Sequence, residues 1–371
     1  MELELHGDQE LFVETTRRFL EAESPLSEVR ALYDDPVGFD RDFWRRGTEL
    51  GWTTMLVPDH LGGGSVSGDG LLDLVLVAEE MGRLVAPGPL LPVNVVADTI
   101  ARSGTPAQQT AELAGLIDGT RIATWAFAEP AGAWDVAGVA LTARTNDEGW
   151  VLSGTKSFVH DAGIADTWLV TARTGDGLTQ FLVPSDTSAV TVRPRQSLDM
   201  TRRLADLEFR DAVVSPSTVV GPVGDAAADV ERQLQVALVL QNAETVGAIH
   251  CVFDFTVEYA KDRMAFGRPI GSYQALKHRF ADMKVWLEAC HATATAASAR
   301  CSSATTTRHG WSASRRPTSR IELRRSHRTA SSCTVASASP GSTTCTSTCA
   351  GSHRTRRCSD RRVTIDCVSR R

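Results

Sequence analysis

The chain has 371 residues, of which 42% are hydrophobic and 23% charged, with a formal net charge of −6 at neutral pH. That length suits two or three domains with sizeable cores. No uninterrupted apolar run reaches the roughly 18 residues of a bilayer span, and the amino terminus Met1-Glu2-Leu3-Glu4 is acidic, so a cytoplasmic protein with no membrane span and no nucleic-acid partner is expected.

The first segment reads as helical. Leu11, Thr15 and Phe19 share one stripe, and Phe39 to Leu50 and Leu71 to Met81 continue the pattern. Between them Val57-Pro58-Asp59-His60-Leu61-Gly62-Gly63-Gly64 cannot continue a helix and reads as a turn. From about Gly119 the period becomes strand-like, at Arg121 to Ala128, Val139 to Ala143, Trp150 to Ser153 and Thr167 to Ala172, with later strands at Leu207 to Phe209 and Val213 to Val214. Helical text resumes near Asp225 and runs to about Ala297. The spacing predicts a helical hairpin: Val252, Phe255, Val257 and Tyr259 precede the stop signals Gly267 and Pro269, and Leu276, Phe280, Met283 and Leu287 form a core-facing stripe after them. The fold class is therefore α+β. Its expected parts are an N-terminal helical domain (1–118), a middle β-barrel-like domain (119–222), a C-terminal helical bundle cut short (223–297) and a tail (298–371).

The tail differs in kind. The first 300 residues carry 25 Lys and Arg against 42 Asp and Glu, while residues 301–371 carry 14 arginines against three acids and hold six of the eight cysteines. That last stretch contains no Phe, Tyr, Met or Lys, a single leucine (Leu323), and 27 Ser or Thr. Such text lacks the means of building a core.

One motif carries most of the functional information: Arg263-Met264-Ala265-Phe266-Gly267-Arg268-Pro269-Ile270, followed by Gln274. It resembles the R-x-x-F-G-x-P-[IL] signature of the acyl-CoA dehydrogenases. The order of helices, strands and helices is similar to that family's helical, β-barrel-like and four-helix-bundle domains, and the Pro58 to Gly64 turn resembles its P-x-x-x-G-G loop. Two further segments support the resemblance. Ala126 to Asp135 is similar to the A-x-T-E-P-x-x-G-S-D flavin loop, with Glu129, Pro130 and Asp135 kept but Ala128 and Trp134 in place of the hydroxyl residues. Gly154 to His160 is similar to G-x-K-x-W-I-T, with Phe158 in place of tryptophan and His160 in place of threonine.

The resemblance implies FAD as cofactor and an acyl-CoA thioester as substrate, dehydrogenated between Cα and Cβ in fatty-acid or related catabolism. It also implies electron-transfer flavoprotein as acceptor and a homo- or heterotetramer sharing FAD across a subunit interface. Phe127, Ala128, Trp134 and Phe158 are the expected cofactor contacts from the middle domain. Arg263, Phe266 and Gln274 are those expected from a neighbouring subunit, Arg263 offering its planar fork to the pyrophosphate. The catalytic base is less plain. In one branch of the family it lies 26 residues before the signature arginine, where this chain has Ala237. Glu244 stands two helical turns further along the same face, the only carboxylate between Glu231 and Asp254, but roughly 10 Å away by helix rise. It is the candidate base, or a structural carboxylate for an arginine. A chain without a base suits the non-catalytic partner subunit of a heteromeric dehydrogenase.

Ser332 to Ala350 has a second meaning. Codons can be chosen for it whose reading, displaced by one nucleotide, gives QLHGGIGFTWEHDLHLYLR, which resembles the family's Q-x-x-G-G-x-G-[FY] segment, and Gly351, Ser352 and His353 continue as Arg-Val-Thr. The expectation is a one-nucleotide slip between about residues 296 and 304. Cys345 and Cys349 are then no metal site, and the chain as written is expected to aggregate and to bind FAD badly.

Overall fold

The computed structural model describes residues 5–131, 135–199 and 201–306. Its first part is all helix: α1 (Gly7–Glu23), α2 (Leu26–Ala31), α3 (Arg41–Glu49), α4 (Gly70–Leu84), α5 (Leu90–Ser103) and α6 (Pro106–Ile117). The boundaries follow local chemistry. Asp40 and Asp69 accept the backbone N–H of Asp42 and Leu72 at the starts of α3 and α4, and Thr105 and Gln108 form a capping box behind Pro106. Trp44, Trp52, Leu74, Met81, Leu90 and Ile100 fill the core between these helices. Neither α5 nor α6 stood out by periodicity. Every residue of α5 from Leu90 to Ile100 is buried, and a helix buried all round shows no amphipathic stripe.

Residues 123–220 form an eight-stranded sheet in the order β6-β7-β3-β2-β4-β5-β8, with β1 added in parallel to β4. The strands are β1 (Ala123–Ala126), β2 (Thr142–Asn146), β3 (Gly149–His160), β4 (Thr167–Thr174), β5 (Gly177–Pro184), β6 (Val190–Arg195), β7 (Leu204–Val214) and β8 (Val219–Val220). The segment expected from Val139 to Ala143 starts later, at Thr142, because the N–H groups of Ala140 and Leu141 are taken by the Glu129 carboxylate. Strands β5 and β6 were not foreseen. In β5 the buried positions include Thr179 and Gln180, whose polarity is satisfied internally, and β6 is largely exposed and charged. Between Lys156 and Val159 the β3–β7 register shifts, and Phe158 sits in that irregularity at φ +56°, a bulge that re-aims its side chain.

The chain then runs through α7 (Ala227–Asp262), a two-residue β-hairpin of β9 (Met264–Ala265) and β10 (Arg268–Pro269), and α8 (Gln274–Thr306). The expected hairpin is present, and α8 continues past the boundary drawn at residue 297. Residues beyond Thr306 lie outside the described residues. By length and composition α7 could cross a membrane, one 18-residue window averaging a mean hydropathy of 1.4. The count of uninterrupted apolar runs missed this, but α7 packs on α4, α5 and α8, and its buried positions include Gln233 and Asn242, so it is an interior helix.

Its contact with α4 is unusually close. A Cβ added to Gly82 would lie 2.0 Å from the carbonyl oxygen of Glu244, and one added to Gly247 would lie 1.9 Å from that of Glu79. The two glycines let the helix backbones touch. The Glu79 carboxylate of α4 then lies 3.5 Å from Nδ1 of His250 on α7 and 3.3 Å from Nδ1 of His291 on α8. Burial works to raise Glu79, but the two imidazoles outweigh it and hold it at about 2; Glu79 in turn raises His291.

Two outcomes follow from this junction. Gly247→Ala forces backbones apart and is expected to cost about 3 kcal/mol, the upper end of overpacking penalties, read by denaturant unfolding. The pH dependence has a defined sign on each side. Glu79, held low, contributes above about pH 4.5 and loses its contribution as pH falls toward 2, while His291, held high, contributes below about pH 6.5 and loses its contribution as pH rises through its raised value. The melting temperature should therefore fall as pH rises from about 6.5 through the raised value of His291, with a flatter profile in His291→Gln.

Candidate functional site

Two groups of candidate residues lie apart along the C-terminal hairpin. The first is built on the middle sheet. The loop after β1 is pinned by the buried Glu129, which accepts N–H bonds from Ala140 and Leu141 at 2.9 Å and the Lys156 ammonium at 2.6 Å. Lys156 is wholly buried and also donates to the Phe127 carbonyl. Glu129 is thus committed to holding the loop.

Phe127 is not presented to a ligand. Its ring is buried among Val139, Leu178, Ala226 and Val230 and stacks on Trp125 at 5.3 Å and 13°; an apolar ring beside a helix start gains more from that cluster than from the surface. The side chain of Phe127 is thus part of the core. Ala128 is buried as well, and its carbonyl accepts the N–H of Ser157 at 2.7 Å. Trp134 lies outside the described residues. Phe158 is 37% exposed, with the Arg195 guanidinium 4.4 Å above its ring.

The strand carrying Phe158 also carries buried polar atoms without a hydrogen-bond partner among the described residues: Ser157 Oγ and His160 Nδ1, with Trp125 Nε1 on the adjoining β1. Leaving such groups unpaired costs about 1–3 kcal/mol each, so the local chemistry suits a heterocycle offering ring nitrogens and carbonyl oxygens. These residues fit the flavin that the resemblance implies. His160 ends β3 as a strand residue; burial, and then Arg202, push it down to about 4. It is neutral at physiological pH, able to donate from one nitrogen and accept at the other. Its neighbour Asp161 is pushed up to about 6, by burial first, against the opposing pull of Arg202 and Arg203.

Arg202 links this sheet to α7. It bonds Oε2 of Glu244 at 2.5 Å, both side chains being 12% exposed. Burial opposes the charge of Arg202, but Glu244, with Asp199 and Asp161, more than offsets that and keeps the guanidinium protonated. Glu244 is therefore engaged as an ion-pair partner, the second of the two roles open to it from the sequence. Periodicity had pointed to neither Arg202 nor Arg195, since an arginine in a polar loop carries no sign of its burial or of what it covers.

The second group sits at the far tip. Arg263 caps α7, Phe266 occupies the β9–β10 turn at φ +52° and 98% exposure, and Gln274 opens α8. A mainly apolar groove of about 370 Å³ near them is lined by Val257, Ala260, Pro269 and Phe280, with Lys277 and the Glu258-paired Lys261, and Arg268 stacks on Tyr273 at 4.0 Å. The excess of positive side chains suits a phosphate-bearing ligand. Arg202, whose charge acts on His160, meets α7 at Glu244, and Arg263 stands 19 residues further on, about 28 Å away at the rise of an α-helix. Within one copy the two groups do not meet.

The Arg202–Glu244 pair makes a direct forecast. Glu244→Gln leaves a buried guanidinium without its counter-charge and should cost about 3–5 kcal/mol, whereas Arg202→Met with Glu244→Met should recover most of that loss, as read by thermal unfolding.

Comparison with known proteins agrees with this layout. Residues 6–120, 124–212 and 228–320 match the N-terminal, middle and C-terminal domain models of acyl-CoA dehydrogenases. Acyl-CoA dehydrogenase IpdE2 of Mycolicibacterium smegmatis is 32% identical over 279 residues, 75% of this chain and 72% of that protein. A variant of the Tcur3481-Tcur3483 steroid ACAD superposes with a TM-score of 0.75 and 28% identity, over 89% of this chain and 85% of that one. The ChsE4-ChsE5 complex from Mycobacterium tuberculosis shares the fold at a TM-score of 0.78 and 24% identity, over 91% of this chain and 86% of that one. With three domain models matched in order along most of its length, the chain belongs to the acyl-CoA dehydrogenase family.

Proposed function

We propose that this protein is a FAD-dependent acyl-CoA dehydrogenase, introducing an α,β double bond into an acyl-CoA thioester in fatty-acid or related acyl-CoA breakdown. FAD, when bound, supplies the hydride acceptor. The observation that carries the reading is the separation of the two residue groups along α7. A polar, aromatic environment beside the middle of α7 and a cationic tip at its end make one complete dinucleotide site when two copies, or two related chains, are joined. In that arrangement Phe158 and the orphaned Ser157 and His160 groups orient the ring system, and Arg263, with Gln274 beside it, holds the diphosphate of a neighbour's cofactor. A homo- or heterotetramer in the cytoplasm, passing electrons to electron-transfer flavoprotein, fits this reading.

A second reading is favoured by one feature. Ala237 stands where a base is expected, and Glu244 is bound by Arg202. A chain of this kind suits a non-catalytic partner that completes another subunit's cofactor site, and the ChsE4-ChsE5 complex is a related assembly of two different chains.

Visible spectra and turnover distinguish the readings. The protein with its reading register restored should retain the visible absorbance of bound flavin, with FAD bound about tenfold or more weakly in Arg263→Ala, the loss of one charge-assisted phosphate contact. Turnover by the protein alone with an acyl-CoA and an artificial electron acceptor supports the catalytic reading; turnover only after adding a related subunit supports the partner reading. A colourless protein with no affinity for FAD sinks both.

A further inference from the structure

Of the three orphaned polar atoms around Phe158, one differs in kind. Trp125 Nε1 can only donate and Ser157 Oγ stays neutral, whereas His160 Nδ1 belongs to a ring that is neutral or cationic according to its surroundings. The motif that Gly154 to His160 resembles ends in threonine, whose hydroxyl can donate a hydrogen bond but cannot take up charge.

His160 is tied at its backbone. It ends β3 opposite Leu204 of β7, and its carbonyl accepts the Thr124 hydroxyl of β1. Strand β1 carries no charged residue. The charges near the ring come from Asp199, Arg202 and Arg203 in the loop before β7, from Asp161 next in the chain, and from Glu244 of α7. Arg202 opposes a cation at His160, but its guanidinium is bonded to Glu244, and Asp199 acts in the other direction. Burial is the first cause holding the ring neutral, with a value of about 4. A negative charge within about 4–6 Å raises an imidazole by about 1–3 units, which is enough to bring this one toward neutrality.

We infer, on the flavin reading proposed above, that His160 is the charge-compensating partner of the cofactor: its imidazole is neutral beside the oxidised ring and takes one proton from solvent when that ring becomes anionic on reduction. The electron pair arrives as hydride from the acyl-CoA. The extra proton comes from water and ends on a His160 ring nitrogen, so an anion faces an imidazolium and no net charge is left buried. Threonine in the same place could not do this, so reduction in this chain is linked to a proton that the protein itself holds.

The test is a redox titration of the register-restored, FAD-loaded protein from about pH 5 to about pH 8, beside His160→Gln and His160→Thr, together with histidine-ring NMR. Below about pH 7 the unsubstituted protein should take up as much as one more proton per electron pair than either variant, about a further tenfold change in the reduction equilibrium per pH unit. At about pH 6 the His160 ring should be neutral in the FAD-free and oxidised protein and cationic in the reduced one. The ring spectrum is read on the unsubstituted chain and decides even where a substitution fails to fold. Equal pH slopes in all three proteins, or a ring that stays neutral on reduction while FAD remains bound, would overturn the role of His160 and leave the proposed function standing. A protein with no affinity for FAD would overturn the proposed function and this role with it.

Discussion

The backbone contact between α4 and α7 is the constraint on which the rest of the molecule depends. Gly82 and Gly247 leave no room for a methyl group, each facing the other helix's carbonyl oxygen at about 2 Å from where a Cβ would stand. Because the helices lie that close, Glu79 reaches both His250 and His291, and α8 is drawn into the same junction. The same approach places Glu244 at the edge of the middle sheet, where Arg202 meets it. One steric fact thus joins all three parts of the chain.

The charged pairs around that contact divide by burial. Glu129 with Lys156, and Glu244 with Arg202, are held where an unpaired charge costs several kcal/mol, so they specify how loop and helix meet the sheet. Pairs such as Arg144 with Asp211, both well exposed, contribute little by comparison. Glu244 illustrates the consequence for chemistry. Its carboxylate is committed to the buried Arg202 guanidinium, which would be stranded without it.

The candidate residues on β1 and β3 differ from these pairs. Ser157, His160 and Trp125 keep buried polar atoms without protein partners, and Phe158 is turned outward by a bulge at positive φ. Local conformational cost of this kind collects where a ligand is to be received. Arg263, Phe266 and Gln274 are exposed at the C-terminal end of α7, apart from that group.

Much was legible in the sequence by itself. Period and turn residues located α1, α3, α4, the α7–α8 hairpin and most of the central strands, and the Arg263 to Ile270 motif with its partners near Glu129 and Lys156 identified the family, because motif spacing survives in one dimension. Tertiary structure decided what each side chain is free to do. Phe127 became core because Val230 and Leu178 arrive from distant segments to cover it; Glu244 became an ion-pair partner because Arg202 reaches it across a domain boundary. The helix α5 and the strands β5 and β6 also escaped the pattern, buried on all sides in one case, internally paired or largely solvated in the others. Local sequence encodes periodicity and spacing, while burial and partnership are set by contacts between residues far apart in the chain, and those decide whether a carboxylate is a base or a strut.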